Sequence, residues 1–256
     1  MSDKRLDGKV AVITGSGMGQ GRAAALLFAK HGAKIGVGDV NEDAGNETVE
    51  LIKQQGGEAV FVKCDVSKEE DCASLVKTTA DTFGKLNVLY NNAGVLWKDR
   101  DVSLVDIDMA NWKVSMDINL MGPVYICRHG IPIMKECGGG SIVNIGSISA
   151  LTGSSIPQDA YNCAKGALII LTKSIAVQFA KFNIRCNIIH PGMINTPMQH
   201  KYMQNKEWLD GCLSSIPLGK FGQPEDIANL ALFLAGEESK FMTGSEIVCD
   251  GGYYAT

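Results

Sequence analysis

Short apolar runs alternate with helix-periodic segments from one end of the chain to the other. The runs fall at residues 9–14, 34–39, 58–64, 86–90, 141–145, 184–189 and 246–249, and the spacing predicts helices over 21–31, 42–55, 69–83, 109–135, 159–182 and 224–234. No feature constrains the fold more. Runs too apolar to leave one face in water imply a parallel sheet covered on both sides. Right-handed crossovers then favour a doubly wound α/β arrangement of about seven strands with helices on both faces. No linker and no internal repeat interrupts the 256 residues, so a single domain spanning 1–256 is expected.

Composition narrows the function classes. Hydrophobic residues make up 45 % and charged residues 20 %, with a net charge of -4, so the electrostatic footprint of a nucleic-acid binder is missing. No stretch is expected to reach the roughly 18 apolar residues of a membrane span. Residues 1–8 are short and polar, unlike a signal or transit peptide. Eight scattered cysteines without a C-x-x-C pair read as reduced thiols, most of them buried, of a cytoplasmic protein. Four histidines without ligand spacing predict no metal site.

The first strand runs into Thr14-Gly15-Ser16-Gly17-Met18-Gly19-Gln20-Gly21, which opens the first helix. Glycines there let the backbone approach a pyrophosphate, whose charge the free N–H groups of the helix start would bind. The spacing is T-G-x-x-x-G-x-G, carried by Gly15, Gly19 and Gly21, rather than G-x-G-x-x-G. A Rossmann-type nucleotide fold is therefore expected. Asp39 ends the second strand, 24 residues beyond Gly15. A carboxylate there accepts from the adenosine ribose hydroxyls of NAD and repels a 2′-phosphate. Val40 and Asn41 follow, residues 16–18 are neutral, and Arg22 is the single nearby cation, so NAD is expected over NADP. Helix capping with Asn41 is the plainer role for Asp39.

Tyr161 and Lys165 stand four residues apart on a predicted helix, hence on one face. A phenol with a pKa near about 10 is a poor base at neutral pH. A neighbouring ammonium favours the phenolate and brings proton exchange with a hydroxyl within reach.

From about Gly8 to Tyr253 the sequence resembles the short-chain dehydrogenase/reductase family. Asn91-Asn92-Ala93-Gly94 resembles its N-N-A-G motif, Asn119 its catalytic asparagine, and Ser147 the serine after strand five. Asp65-Val66 resembles its adenine-contacting pair, and Pro191-Gly192 with Thr196 its nicotinamide-contacting segment. The resemblance implies Tyr161 as general acid/base, Ser147 on the substrate oxygen, and Lys165 on the nicotinamide ribose, lowering the Tyr161 pKa. It implies that Asn119 holds a water linking Lys165 to solvent. The implied cofactor contacts are Gly15, Met18, Gly19, Gln20, Gly21, Asp39, Val40, Asp65, Val66, Asn92, Ala93, Gly94, Tyr161, Lys165, Pro191, Gly192, Ile194 and Thr196. Two departures stand out. Ser147 lies 14 residues before Tyr161, one more than the family's usual spacing, which leaves Ser149 as a second candidate. Gln20 replaces a branched aliphatic residue.

The segment 193–215 is the least regular. Met193, Met198, Tyr202, Met203 and Trp208 suit a lid over an apolar substrate, or else a helix pair packed as ordinary core. Trp97, in 96–101, adds a second flank, and His190 either faces the pocket or is buried structurally. The expected function is NAD-dependent interconversion of a secondary alcohol and a ketone, the substrate bulky or cyclic like a hydroxysteroid or cyclohexanol. A 3-hydroxyacyl compound or a sugar alcohol stays open. The resemblance further implies a homotetramer or dimer, with helices at 109–135 and 159–182 meeting their symmetry mates. The rival readings are a 3-oxoacyl reductase and a non-catalytic dinucleotide sensor.

Overall fold

A computed structural model describes residues 4–153 and 156–256. In order it contains β1 (Val10–Thr14), α1 (Gly19–Lys30), β2 (Lys34–Asp39), α2 (Glu42–Gln54), β3 (Ala59–Lys63), α3 (Glu69–Phe83) and β4 (Val88–Asn91). Then come α4 (Met109–Met116), α5 (Gly122–Glu136), β5 (Gly140–Ile145), α6 (Asp159–Phe179), β6 (Ile184–Pro191), α7 (Pro197–Met203), α8 (Lys206–Ser214), α9 (Pro224–Ala235) and β7 (Glu246–Cys249). The seven strands form one sheet in the order β3-β2-β1-β4-β5-β6-β7, and every pairing is parallel. The expected doubly wound Rossmann-type sheet is what forms.

The pleat sends alternate β1 side chains to opposite faces. Ala11 and Ile13 join one buried cluster with Phe28 of α1 and Ile227 of α9. Val12 joins the other with Leu75 of α3, Ile126 of α5 and Ile175 of α6. Both faces are thus dry, which is why the strands read as continuous apolar runs. The winding reverses between β1 and β4, and a crevice opens beyond the carboxyl ends of the strands at such a switch point.

Three segments differ from the sequence expectation. The stretch at 109–135 is broken by a π-helical turn, Asp117–Met121, between α4 and α5. Turns of this kind hold one residue more than a regular helix and collect at functional sites. The segment 193–215 folds as the helix pair α7 and α8, and no residue of α8 is buried, so α8 is not ordinary core. Finally, Asp159–Phe182 is long and apolar enough to cross a membrane by length and composition, contrary to the expectation that no stretch would be. Here Ala164, Leu168, Thr172 and Ala176 of this segment are buried within the fold, while Ile170 and Val177 are exposed.

Among the cysteines, Cys64, Cys72, Cys127 and Cys186 are buried and Cys163 is exposed, so burial accounts for half of the eight rather than most.

Candidate active site

The crevice holds a cavity of about 720 Å³ whose walls come from the carboxyl ends of β1, β2, β4, β5 and β6 and from α6 and α7. Every expected site residue lines it except Gly21 and Asn119. These two lie just behind the wall.

At one end lies the glycine turn. Helix α1 begins after Met18 with no side-chain cap and no acidic residue in its first turn, which leaves its opening N–H groups to an anion. A Cβ on Gly21 would stand 2.1 Å from the Gly15 carbonyl oxygen and 2.6 Å from Asn92 Nδ2, so only glycine lets the turn fold this tightly. Asn92 braces it from β4, donating Nδ2 to Thr14 O at 3.0 Å and to Gly15 O at 3.1 Å. Gln20 faces the cavity, and its buried Oε1 has no hydrogen-bond partner among the described residues. An orphaned acceptor beside uncapped N–H groups suits a ligand carrying both phosphate oxygens and hydroxyl or amide donors. A dinucleotide fits this cradle.

Asp39 forms the next part of the wall. One carboxylate oxygen accepts the Gly17 N–H at 2.7 Å and the other the Asn41 N–H at 2.9 Å. Gly17, which the glycine spacing passed over, is needed for this contact: a Cβ there would come within 2.8 Å of Asp39 Oδ2. Asn41, not Asp39, caps α2, accepting from Ala44 N at 3.1 Å. Arg22 is occupied elsewhere. Its guanidinium bonds Glu47 at 2.6 Å, Thr48 at 3.1 Å and the Ala44 carbonyl at 3.2 Å. Asp65 and Val66 follow at the end of β3, where Asp65 accepts from the Ser67 N–H and hydroxyl.

The middle of the cavity brings Ser147, Tyr161 and Lys165 together. The first residue beyond the strand-end dipeptide Ile145-Gly146 is Ser147, 8 % exposed. Its Oγ accepts from Ser149 N at 3.1 Å, which leaves its O–H to be donated, and it shares the cavity wall with the Tyr161 phenol, whose pKa it lowers. Ser149, the other candidate, has its Oγ taken by Gln158 Nε2 at 2.8 Å. Lys165, one turn along α6 from Tyr161, is 3 % exposed. Its Nζ donates to Ile145 O at 2.8 Å and lies 5.7 Å from the centre of the Tyr161 ring.

The electrostatics differ from the sequence expectation. Burial raises the Tyr161 pKa above the ordinary phenol value, and the Ser147 hydrogen bond offsets this only in part. Burial also pushes the Lys165 ammonium down to about 8. Desolvation disfavours the charged form of each.

Asn119 sits in the π turn, fully buried. Its Oδ1 accepts from Val95 N at 3.0 Å while its Nδ2 donates to Val95 O and Ser115 O, both at 3.0 Å. The side chain is thus spent on holding the loop after β4 against α4. Gly94 lies between Asn119 and Lys165, where a Cβ would stand 2.8 Å from Asn119 Oδ1 and 3.4 Å from Lys165 Nζ. Within the sheet, Asn91 Nδ2 donates to Asn144 Oδ1 at 2.8 Å, and Asn144 Nδ2 to Thr172 Oγ1 at 2.9 Å, tying β4 to β5 and α6. His190 is buried behind Ser147 rather than facing the cavity.

The far end is walled by Val95, Leu96, Trp97 and Lys98 on one side and by Met193, Pro197, Met198 and Gln199 on the other. Trp208 of α8 lies under Lys98 Nζ, 4.5 Å from its ring centre, and packs on Phe221 at 6.2 Å. The side chain of Tyr202 lies outside the described residues. Gln158 and Gln199, both cavity-lining, went unnoticed in the sequence, because a lone glutamine carries no motif.

A family model described as Enoyl-(Acyl carrier protein) reductase matches residues 14–254. Cyclohexanol dehydrogenase of Acinetobacter sp. (strain SE19) is 36 % identical over 253 residues, covering 99 % of this chain and 97 % of that protein. The 7α-hydroxysteroid dehydrogenase of Clostridium sardiniense is 38 % identical over 250 residues, covering 98 % and 95 %. A solved 7α-hydroxysteroid dehydrogenase in complex with NADH and 7-oxo glycochenodeoxycholic acid superposes with a TM-score of 0.92 at 34 % identity, covering 98 % of this chain and 96 % of that one. With a seven-stranded parallel sheet, a glycine turn at its switch point and relatives that are alcohol dehydrogenases along their whole length, the chain belongs to the short-chain dehydrogenase/reductase family of oxidoreductases.

Proposed function

We propose that the protein interconverts a bulky or cyclic secondary alcohol and its ketone by hydride exchange with NAD, using Tyr161 as the general acid/base. The observation that carries this reading is that Ser147, Tyr161 and Lys165 line one cavity, with the Lys165 Nζ 5.7 Å from the centre of the Tyr161 ring.

When bound, the nicotinamide ring supplies the hydride acceptor or donor. The chain's own residues handle the proton. Because burial raises its pKa, the free phenol is protonated at neutral pH, the form that donates to a ketone oxygen. For alcohol oxidation the phenolate accepts the substrate's hydroxyl proton, and the Ser147 O–H stabilises negative charge on either oxygen. The Lys165 ammonium, held by Ile145 O, adds positive charge beside the phenolate and is placed to hold a ribose hydroxyl. Asn119 acts by fixing the loop after β4, and a water held near it would carry the proton from Lys165 outward.

The fixed carboxylate of Asp39 supports NAD over NADP. Both its oxygens are anchored by backbone N–H groups at the cavity wall, and the nearby cation Arg22 is engaged by Glu47. A 2′-phosphate would meet that negative charge. Met18, Val40, Pro191, Gly192, Ile194 and Thr196 complete the cofactor's surroundings. Residues 193–215 are the substrate lid, with Met193 and Met198 inside and Trp208 held by Lys98. The names of the relatives that act on cyclic alcohols and steroids support an alicyclic substrate.

A homo-oligomer, most simply a tetramer, accords with the apolar side chains that α4 and α6 leave in water, Val114, Ile170 and Val177. Light scattering at micromolar concentration tests it, and a stable monomer refutes it. All eight thiols are unpaired, which accords with a reducing, cytoplasmic setting.

The deciding experiment follows NADH absorbance with the purified protein and a panel of cyclic secondary alcohols, including cyclohexanol and hydroxysteroids. Wild type should turn over at least one of them, and Tyr161→Phe should lose about 100- to 10,000-fold. Near-wild-type turnover by Tyr161→Phe would sink the reading.

A further inference from the structure

Helix α6 carries Tyr161 in its first turn, where helical N–H groups lack intrahelical acceptors. The residue in the capping position, Gln158, does not cap. Its amide is turned toward the cavity wall, donating to Ser149 Oγ at 2.8 Å and Asn162 Oδ1 at 3.2 Å. The acceptor comes instead from a segment some sixty residues earlier. Asp101, only 4 % exposed, takes the Ala160 N–H on one carboxylate oxygen at 3.0 Å and the Tyr161 N–H on the other at 2.8 Å. The contact is reciprocated, since Asp159 Oδ2 accepts from Leu104 N at 2.8 Å.

Asp101 closes a tight turn. Its own N–H and that of Arg100 both donate to Trp97 O, at 2.7 and 2.9 Å. The residues that turn presents to the cavity are Trp97 and Lys98, the wall of the substrate end. One turn therefore places two side chains against the substrate and a carboxylate on the backbone of the base. A buried carboxylate is costly unless its oxygens are bonded. Here both are, by helix N-terminal N–H groups whose partial positive charge favours an anion.

We propose that Asp101 is a positioning residue for the reaction: it sets the place of Tyr161 by capping α6 from the substrate-facing turn, and so ties that wall to the proton donor. The inference rests on the reading of Tyr161 as general acid/base. Without the carboxylate the first turn of α6 frays, and the phenol shifts relative to Ser147 while the cofactor cradle at α1 stays in place.

The test compares Asp101→Ala, Asp101→Asn and Tyr161→Phe, alone and combined, with a cyclic alcohol that the wild type oxidises. Asp101→Ala should lower kcat by about 10- to 100-fold, because a misplacement on the order of 1 Å costs about 100-fold. Its KM for NAD should stay within about twofold of wild type. Asp101→Asn, which keeps the shape and one carbonyl acceptor, should fall between the two and carries the test if the alanine variant does not fold. In the Tyr161→Phe background Asp101→Asn should change kcat by less than about twofold, since groups acting as a unit are not additive. Two results would overturn the proposal while leaving Tyr161 in its role. One is a kcat within about twofold of wild type for Asp101→Asn when Tyr161→Phe is crippled; the other is a further tenfold loss in the combined variant. Full turnover by Tyr161→Phe would remove both readings together.

Discussion

His190 stands behind Ser147 with its Nδ1 3.0 Å from that residue's carbonyl oxygen. A carbonyl only accepts, so Nδ1 carries the proton. The opposite nitrogen, Nε2, has no hydrogen-bond partner among the described residues and looks toward Glu246 Oε2 at 3.6 Å. Burial lowers the ring's pKa and Lys165 adds to this, while the Ser147 hydrogen bond and Glu246 oppose them. His190→Phe leaves the Ser147 carbonyl buried without a donor. It should reduce stability by about 1–3 kcal/mol in urea unfolding, with a lower kcat from a displaced serine. With a folded pKa below 6.5, the wild-type ring resists protonation that the unfolded chain accepts. Stability should therefore fall as pH drops below about 6.5, and less so in His190→Asn.

Lys165 gives the opposite end of the pH scale. Its ammonium titrates at about 8 in the folded protein against 10.5 for the ordinary side chain. Between these values the unfolded chain binds a proton that the folded one does not, so stability rises with pH. The gain from pH 8 to 10 should be about 2–3 kcal/mol in the free protein and absent from Lys165→Met. Above about pH 10 the Tyr161 and Tyr90 phenols, whose pKa values are raised, reverse the trend. Denaturant midpoints measured for both proteins across this range check it.

Ser147 lowers the Tyr161 pKa through its hydrogen bond. Removing it in Ser147→Ala leaves only the upward push of burial. Alcohol oxidation needs the phenolate, so the ascending limb of kcat/KM against pH should move to higher pH in Ser147→Ala, with kcat about 100- to 1,000-fold lower from the loss of a donor to the reacting oxygen. A limb that stays in place would separate the serine from the phenol's titration.

Asp39 should decide between dinucleotides. Replacing it with alanine removes an anchored charged acceptor of the kind worth about 1.5–3 kcal/mol, or roughly 10- to 100-fold in NAD affinity. NADP binding should tighten, as the repulsive carboxylate is gone. Calorimetric titration of both dinucleotides into Asp39→Ala and wild type gives the ratio.

The sheet, and the sharing of one cavity by Ser147, Tyr161 and Lys165, were legible because each leaves a periodic or motif-sized trace. Largely apolar runs such as Val10–Thr14 and residues 184–189 mark strands buried on both faces, and Tyr161 and Lys165 keep a helical spacing. The glycine turn was legible in part. Gly15, Gly19 and Gly21 carry a pattern, whereas Gly17 is required by a side chain that arrives from β2, a contact no local spacing records. Asp101 and Gln158 meet the site only through tertiary contact, and nothing near either in sequence announces it. The direction of the Tyr161 pKa was read from the Lys165 charge, whereas burial, which sequence does not measure, raises it.

The five-residue π turn at Asp117–Met121 has a consequence for how this chain can change length. One residue added to or taken from a helix swings everything beyond it by about 100° around the axis. A single deletion there would give a more regular rod from Met109 onward. It would also carry Asn119 off Val95 and unlock the loop that walls the cavity. At this spot, repairing the local geometry and keeping the enzyme are opposed outcomes.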